Sequence, residues 1–104
     1  MTQRERLPNR RASEGFELEL DGLHYTATFS RFADGRVAEV FLQNHKSASQ
    51  SDSNARDSAI AASLALQHGC PLEVLRKALL RDARGSAETP LGCALDKIAE
   101  GGAP

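Results

Sequence analysis

This chain of 104 residues lacks much of what catalytic and membrane proteins require. It has two cysteines, Cys70 and Cys93, which are too few for a disulfide framework and lack the spacing of a zinc site. Its longest apolar run is far shorter than the ~18 residues that a membrane-spanning helix needs. Basic and acidic residues nearly balance at a net charge of −1, so the chain lacks the excess of positive charge that is typical of nucleic-acid-binding proteins.

The length predicts one domain, without room for both a cofactor-binding fold and a substrate domain. Residues 1–14 are polar, carry four arginines and lack an apolar core, which predicts a flexible basic arm and not a secretory signal. We therefore expect a folded domain at residues 15–100, a disordered tail at 101–104, and a cytoplasmic protein without membrane or nucleic-acid partners.

Two Asp-Gly pairs predict a three-stranded antiparallel meander. Residues 16–20 alternate between apolar and polar side chains, which is typical of a strand with one buried face. Asp21-Gly22 and Asp34-Gly35 are each expected to form a two-residue hairpin turn, because glycine adopts a positive φ without steric cost. Pairing across both turns places one apolar set on a single face: Phe16, Leu18, Leu20, Leu23, Tyr25, Ala27, Phe29, Val40 and Leu42.

The opposite face of this sheet has three apolar exceptions, Phe32, Val37 and Phe41. A two-residue turn at Asp34-Gly35 makes Phe32 and Val37 direct cross-strand partners. An apolar patch on an otherwise polar face indicates a surface for a partner or for a second copy of the chain. The alternative is that a terminal segment or a helix of the same chain covers the patch.

Three helices are expected after the sheet. The first is predicted at residues 54–68, capped at one of the residues 51–53. Its middle, residues 59–66, is small or apolar almost all round, which is typical of a central buried helix. His68-Gly69 suits the end of that helix. Residues 71–79 and 90–99 carry leucine stripes at helical spacing. The order β-β-β-α-α-α is an α+β fold with the helices packed on one face of the sheet.

The segment between the sheet and the first helix is the main candidate for a ligand site. It carries Lys46, Ser47 and Ser49, and free backbone N–H groups at a helix start favour an anion. Arg56, one turn into the helix, is a further candidate cation. The segment has no glycine, unlike phosphate-binding loops. The alternative is a polar connection in which the serines cap the helix and Lys46 is solvated.

The spacing of the histidines and cysteines gives little support for a metal site or for a catalytic site. His24, His45 and His68 lack the spacing of metal ligands, so no metal site is predicted. Cys93 follows the start of the third helix, where the helix dipole would lower its pKa, but the more ordinary interpretation is a small side chain in a buried stripe. We assign no catalytic residue.

Two junctions in the chain resemble the TSCPD domain. In one, the strand at residues 35–42 leads into Lys46-Ser47-Ala48-Ser49; in the other, the helix end at residues 64–69 is followed by Pro71-Leu72-Glu73. That domain lies at the C-terminal end of adenosylcobalamin-dependent, class II ribonucleotide reductases and also occurs as short free-standing proteins. The resemblance covers about residues 16–100. In the stretch that matches the name-giving Ser-Cys-Pro-Asp cluster, this chain has Cys93 and Asp96 but no Cys-Pro step.

The resemblance implies an accessory or regulatory module of ribonucleotide reduction and not the catalyst. The barrel, the active-site cysteines and the C-terminal thiol pair of the reductase do not fit into this chain. It also implies that adenosylcobalamin belongs to the full-length reductase, so we predict no cofactor here, and that a reductase large chain is the partner. The residues leave a second hypothesis open, a free-standing homodimer, joined through the Phe32/Phe41 face, that binds phosphate or a nucleotide.

Overall fold

The computed structural model describes residues 3–8, 12–46 and 49–101. The elements are β1 (Ser13–Leu20), β2 (Leu23–Arg31), β3 (Val37–Asn44), α1 (Gln50–Gln67), α2 (Leu72–Ala78) and α3 (Pro90–Gly101). The strands form one antiparallel sheet in the order β1-β2-β3. The predicted α+β class and the order of its elements are confirmed. Of the predicted arm and tail, residues 1–2, 9–11 and 102–104 lie outside the described residues, and β1 begins within the predicted arm.

The first turn has the predicted two-residue form. Asp21 and Gly22 have φ angles of 53° and 80°, and a positive φ at both central residues matches the right-handed twist of the flanking strands. The pairs Leu20–Leu23, Leu18–Tyr25 and Phe16–Ala27 follow from it, as predicted.

The second turn is one residue longer than predicted. Phe32 N–H donates to Arg36 O at 2.8 Å, so the turn consists of residues 33–35, with Gly35 at a φ of 97°. A register shift beside Ser30 and Arg31 then restores the predicted pairs Phe29–Val40 and Ala27–Leu42. The longer turn and the bulge cancel in the middle of the sheet, because the turn takes its extra residue, Ala33, from the β2 side and the bulge places its extra residue, Ala38, in β3.

The predicted pairing of Phe32 with Val37 is wrong, because Val37 pairs with Arg31. A bulge interrupts the alternation of side chains along a strand. Val37 belongs to the core cluster, and Phe32 is buried as well. Of the three residues expected to form an apolar patch, only Phe41 is exposed.

Helix α1 lies along β3 at the edge of the sheet, and it is not the central buried helix that its alanines predicted. One side of α1 packs on the core through Ala55, Ala59, Ala62 and Leu66. Its outer side exposes Ile60 and Leu64. Helix α3 completes the core with Leu95, which is fully buried. Within the described part of the chain, no helix is both long and apolar enough to cross a membrane.

Polar side chains of α1 bind the backbone groups that β3 turns away from β2. Gln67 Nε2 donates to Ala38 O at 3.1 Å, Ser63 Oγ donates to Val40 O at 3.0 Å and accepts from Val40 N at 2.9 Å, and Asp52 Oδ1 accepts from Asn44 N at 3.0 Å. An unpaired strand edge attracts other strands, and a covering helix is one way to prevent this. The helix α1 therefore closes the edge of the sheet and fixes the two surfaces described below.

Candidate functional site

Hydrogen bonds join the end of β3 to the start of α1 on either side of residues 47–48, which lie outside the described residues. Asn44 Oδ1 accepts from Lys46 N at 2.7 Å, and Ser49 Oγ donates to Lys46 O at 2.9 Å. Ser49 Oγ also accepts from Asp52 N at 3.1 Å, so Ser49 is the N-cap of α1. The helix thus begins at Gln50, four residues earlier than predicted. The capping expected of a polar connection is present at Ser49.

The predicted ligand residues occupy different surroundings. Lys46 is exposed between β3 and the start of α1, and Ser47 lies outside the described residues. Arg56 forms an ion pair with Asp52, one helical turn before it, because its Nη1 atom lies 3.5 Å from Asp52 Oδ2. Whether these residues bind a ligand stays a prediction.

Neither Asn44 nor Asp52 was predicted to be a site residue. Asp52 was expected to be one of the possible N-caps at residues 51–53, which is wrong, because Ser49 is the N-cap and Asp52 lies inside α1. Asn44 and Asp52 are almost fully buried, with 2% and 3% of their surface exposed. Asn44 offers its Nδ2 group as a donor, but no described residue accepts a hydrogen bond from it. A buried donor without an acceptor costs free energy, so Asn44 Nδ2 is the unusual polar group of this segment. The sequence signal that could have identified Asn44 is its residue type and position, since it is an asparagine at the end of a predicted strand and before a predicted helix.

An exposed apolar surface lies where β3 meets α1. Phe41, Ile60 and Leu64 expose 51%, 55% and 40% of their surface, and we call these three residues the β3–α1 surface. Phe41 and Ile60 line a groove of about 410 Å³, together with Arg56. Leu64 follows Ile60 by one helical turn on the same side of α1. The sequence pointed to Phe41 but missed the two α1 residues, because α1 was expected to be buried.

Two histidines come together on the polar face of the sheet. The rings of His24 and His45 stack with centroids 6.0 Å apart, and His45 Nε2 lies 2.9 Å from Thr26 Oγ1 and 3.3 Å from a carboxylate oxygen of Glu17. The pair follows from the β2–β3 register, which brings position 24 opposite position 45. Among the described residues, no three side chains of metal-binding type come close enough to hold an ion.

Asp96 joins α3 to α2 and to the loop after it. Both of its carboxylate oxygens accept from Arg81, at 2.8 and 2.7 Å, and Oδ1 also accepts from Arg76 Nε at 3.1 Å. The hydrogen bonds from Arg81 lower the pKa of Asp96 below its usual value, and the hydrogen bond from Arg76 adds to this effect. These contacts give Asp96 a part in holding the helices together.

Cys93 has the surroundings of a structural thiol. Burial raises the pKa of the Cys93 thiol, and the nearby Asp96 carboxylate raises it further. The interpretation that the helix start lowers this pKa is therefore wrong. The thiol lies 3.8 Å from Ala87 O, and Cys93 packs against the core cluster. A thiol with a raised pKa is a poor nucleophile at neutral pH.

The sequence is similar to one segment of much longer enzymes. Over 71 residues, which are 68% of this chain, it is 38% identical to the vitamin B12-dependent ribonucleotide reductase of Agrobacterium fabrum. Over 73 residues it is 34% identical to the vitamin B12-dependent ribonucleotide reductase of Bradyrhizobium diazoefficiens. The chain spans only about 6% of the length of either relative.

These matches relate the chain to a segment of the vitamin B12-dependent ribonucleotide reductases. No protein-family model matches the chain. No solved structure matches it either.

Proposed function

We propose that this chain is a TSCPD-type accessory domain of vitamin B12-dependent ribonucleotide reduction. It docks onto the reductase and carries out no catalytic step of its own. The similarity to a segment covering about 6% of two such reductases supports the link to that enzyme. The raised pKa of Cys93 fits a module that does not supply the reacting thiol.

The observation that carries the docking role is the β3–α1 surface. Large apolar side chains that stay exposed beside one another often mark protein interfaces, and aromatic residues contribute much of the binding energy there. Phe41 and Ile60 present such a pair in one groove. Arg56 beside them favours a partner with an apolar side chain next to a carboxylate.

A second role, the binding of a phosphate-bearing ligand, is favoured by one observation at the start of α1. The buried Asn44 Nδ2 group has no acceptor among the described residues, and the exposed Lys46 lies two residues further along. The exposed Lys46 would bind a phosphate oxygen, and the positive end of the 18-residue helix favours negative charge. Asn44 Nδ2 would add a hydrogen bond only if the end of β3 moved to expose it.

The docking role is tested by capturing a reductase large chain with the tagged protein. We expect the wild-type chain to retain the large chain of a vitamin B12-dependent ribonucleotide reductase. Phe41→Ser and Ile60→Ser are each expected to weaken this association at least about tenfold, because each removes a buried apolar contact worth ~1.5–3 kcal/mol.

Val74→Ser is the matched control. Val74 is 59% exposed on α2, away from the β3–α1 surface, so its replacement should leave the association unchanged. No capture by the wild-type chain, or equal capture by Phe41→Ser and Val74→Ser, would overturn the docking role. A dimer in sedimentation experiments that Phe41→Ser dissociates would instead support the homodimer hypothesis.

A further inference from the structure

A second cleft lies at the end of the sheet opposite to Lys46. It has a volume of about 540 Å³ and opens between the β2–β3 turn, the junction of α1 with α2, and α3. Its walls are mostly apolar, from Phe32, Val37, Leu66, Leu72 and Ile98. Phe32 and Val37 line it because the bulge in the hairpin turns them toward the helices. A concave apolar site with a few polar groups at its rim is the usual form of a small-molecule site.

Two arginines of the hairpin line this cleft, and the local fold holds both of them in place. Arg36 Nε donates to Asp34 Oδ2 at 2.7 Å, and the Arg36 guanidinium lies 4.6 Å from the centre of the Phe32 ring. Arg31 Nη1 donates to Gly35 O at 2.9 Å. A guanidinium that is already oriented loses little conformational entropy when it binds an anion.

Glu73, the acidic residue that also lines the cleft, forms its hydrogen bonds with Arg76 and not with Arg31 or Arg36. Both carboxylate oxygens of Glu73 accept from Arg76 Nη1, at 3.0 and 2.9 Å. Glu73 therefore does not pair with the cleft arginines, whose carboxylate partners are Glu14 for Arg31, at 3.6 Å, and Asp34 and Glu5 for Arg36. An anion carried on an apolar body can bind Arg36 by taking the place of one of these carboxylates.

The chain itself supplies a carboxylate to Arg36. Arg36 Nη2 donates to both carboxylate oxygens of Glu5, at 3.0 and 2.9 Å. The segment around Glu5 is tied to the end of α1, because Glu5 N donates to Gln67 O at 2.6 Å and Arg4 Nε donates to Gln67 Oε1 at 2.5 Å. Arg36 thus holds an anion in this fold, and that anion comes from a segment far away in the sequence.

We propose that this cleft binds an organic anion with a flat apolar body, and that Glu5 competes with this ligand for Arg36. The apolar body lies against Pro71 and Leu72, apolar wall residues that keep accessible surface above the buried Phe32 and Val37, and its carboxylate, phosphate or sulfonate replaces the Glu5 carboxylate on Arg36. The site is separate from the β3–α1 surface and from the Lys46 segment, since it lies at the start of β3 and not at its end.

The test is a fluorescence titration with 8-anilinonaphthalene-1-sulfonate, which joins a flat apolar body to one anionic group. We expect saturable binding of one probe per chain. Arg36→Gln should weaken it about fivefold or more, because one charge-assisted contact is lost. Glu5→Gln should tighten it about threefold or more, because the internal competitor loses its charge. The uncharged analogue N-phenyl-1-naphthylamine should bind more weakly and respond to neither change.

Three control variants separate this site from the others. Arg84→Gln removes an exposed arginine away from the cleft, and Phe41→Ser and Lys46→Ala alter the two surfaces of the proposed function. All three should bind the sulfonate probe like the wild-type chain. The proposal would be overturned if Arg36→Gln and Arg84→Gln lowered the affinity for the sulfonate probe equally, or if Glu5→Gln did not raise that affinity. If only Phe41→Ser or only Lys46→Ala lowered the affinity for the probe, the probe would bind at another surface, which would also overturn the proposal.

Discussion

Replacing Ser63 with alanine is expected to lower the free energy of unfolding by about 2–3 kcal/mol, since each buried polar group left unpaired costs ~1–3 kcal/mol. The Ser63 hydroxyl donates to Val40 O and accepts from Val40 N, and all three groups are buried. Alanine keeps the helix but leaves the strand amide and carbonyl at the edge of the sheet without partners. Urea denaturation monitored by circular dichroism measures the change.

Ser58→Ala is the matched control for this change. Ser58 is on the same helix, and its hydroxyl donates only to Ala55 O, within the helix itself. Its loss should change the free energy of unfolding by less than about 0.5 kcal/mol, which is typical of a position away from the core. Equal effects of Ser58→Ala and Ser63→Ala would mean that α1 does not complete the edge of β3.

Gly92→Ala is expected to destabilise the fold by about 2 kcal/mol, within the ~1–3 kcal/mol usual for overpacking. A Cβ atom at Gly92 would lie 2.9 Å from Ala87 Cβ and 3.4 Å from Thr89 Oγ1. Ala87 has no flexible side chain that could move aside, and a strand-like bridge joins it to Arg81. The loop before α3 would therefore have to shift, and the bond from Gly92 N to Thr89 Oγ1 would be strained.

Gly101→Ala is the control for this second change. Gly101 is also in α3, but no atom lies within 4 Å of the Cβ that alanine would add there. We expect no loss of stability, and a gain of up to ~1 kcal/mol from the better helix propensity of alanine. A destabilisation by Gly101→Ala as large as that by Gly92→Ala would show that close packing at Ala87 is not the cause.

The central part of the sheet could be predicted from the sequence. The Asp21-Gly22 turn and the alternation of residues 16–20 set the β1–β2 register directly, because both are local signals. The Phe29–Val40 pair was also correct, although the turn that leads to it was not. An Asp-Gly pair allows a two-residue and a three-residue turn, and only packing against the helices selects the bulged form that buries Phe32 and Val37.

The position of α1 could not be predicted from its composition. A run of alanines fits a central helix, and it fits equally a helix that approaches a strand edge closely. The residues that place α1 at the strand edge are Asp52, Ser63 and Gln67, which are spaced along the helix so that they face β3. A serine and a glutamine within a helix carry no local signal for such a role, since their partners are more than twenty residues away in the sequence.

The candidate sites were predictable in part. The sequence indicated Lys46 and Ser49, which lie between β3 and α1, and Phe41, which lies within β3 on the polar face of the predicted sheet. It did not indicate Asn44, the stacked His24 and His45, or the contacts of Asp96 with Arg76 and Arg81. Each of these depends on the tertiary arrangement, because its members come from different elements.

The β3–α1 surface and the cleft beside Phe32 both depend on α1 lying along the outer edge of β3, and amide hydrogen exchange tests this most directly. Val40 N and Asn44 N donate only to side chains of α1 in the described structure, whereas the register of the first hairpin turns the amides of Glu17 and Glu19 outward on β1. We expect the Val40 and Asn44 amides to exchange at least about a hundredfold more slowly than those of Glu17 and Glu19, since exchange there requires cooperative opening. Exchange of Val40 and Asn44 as fast as that of Glu17 and Glu19 would contradict the account.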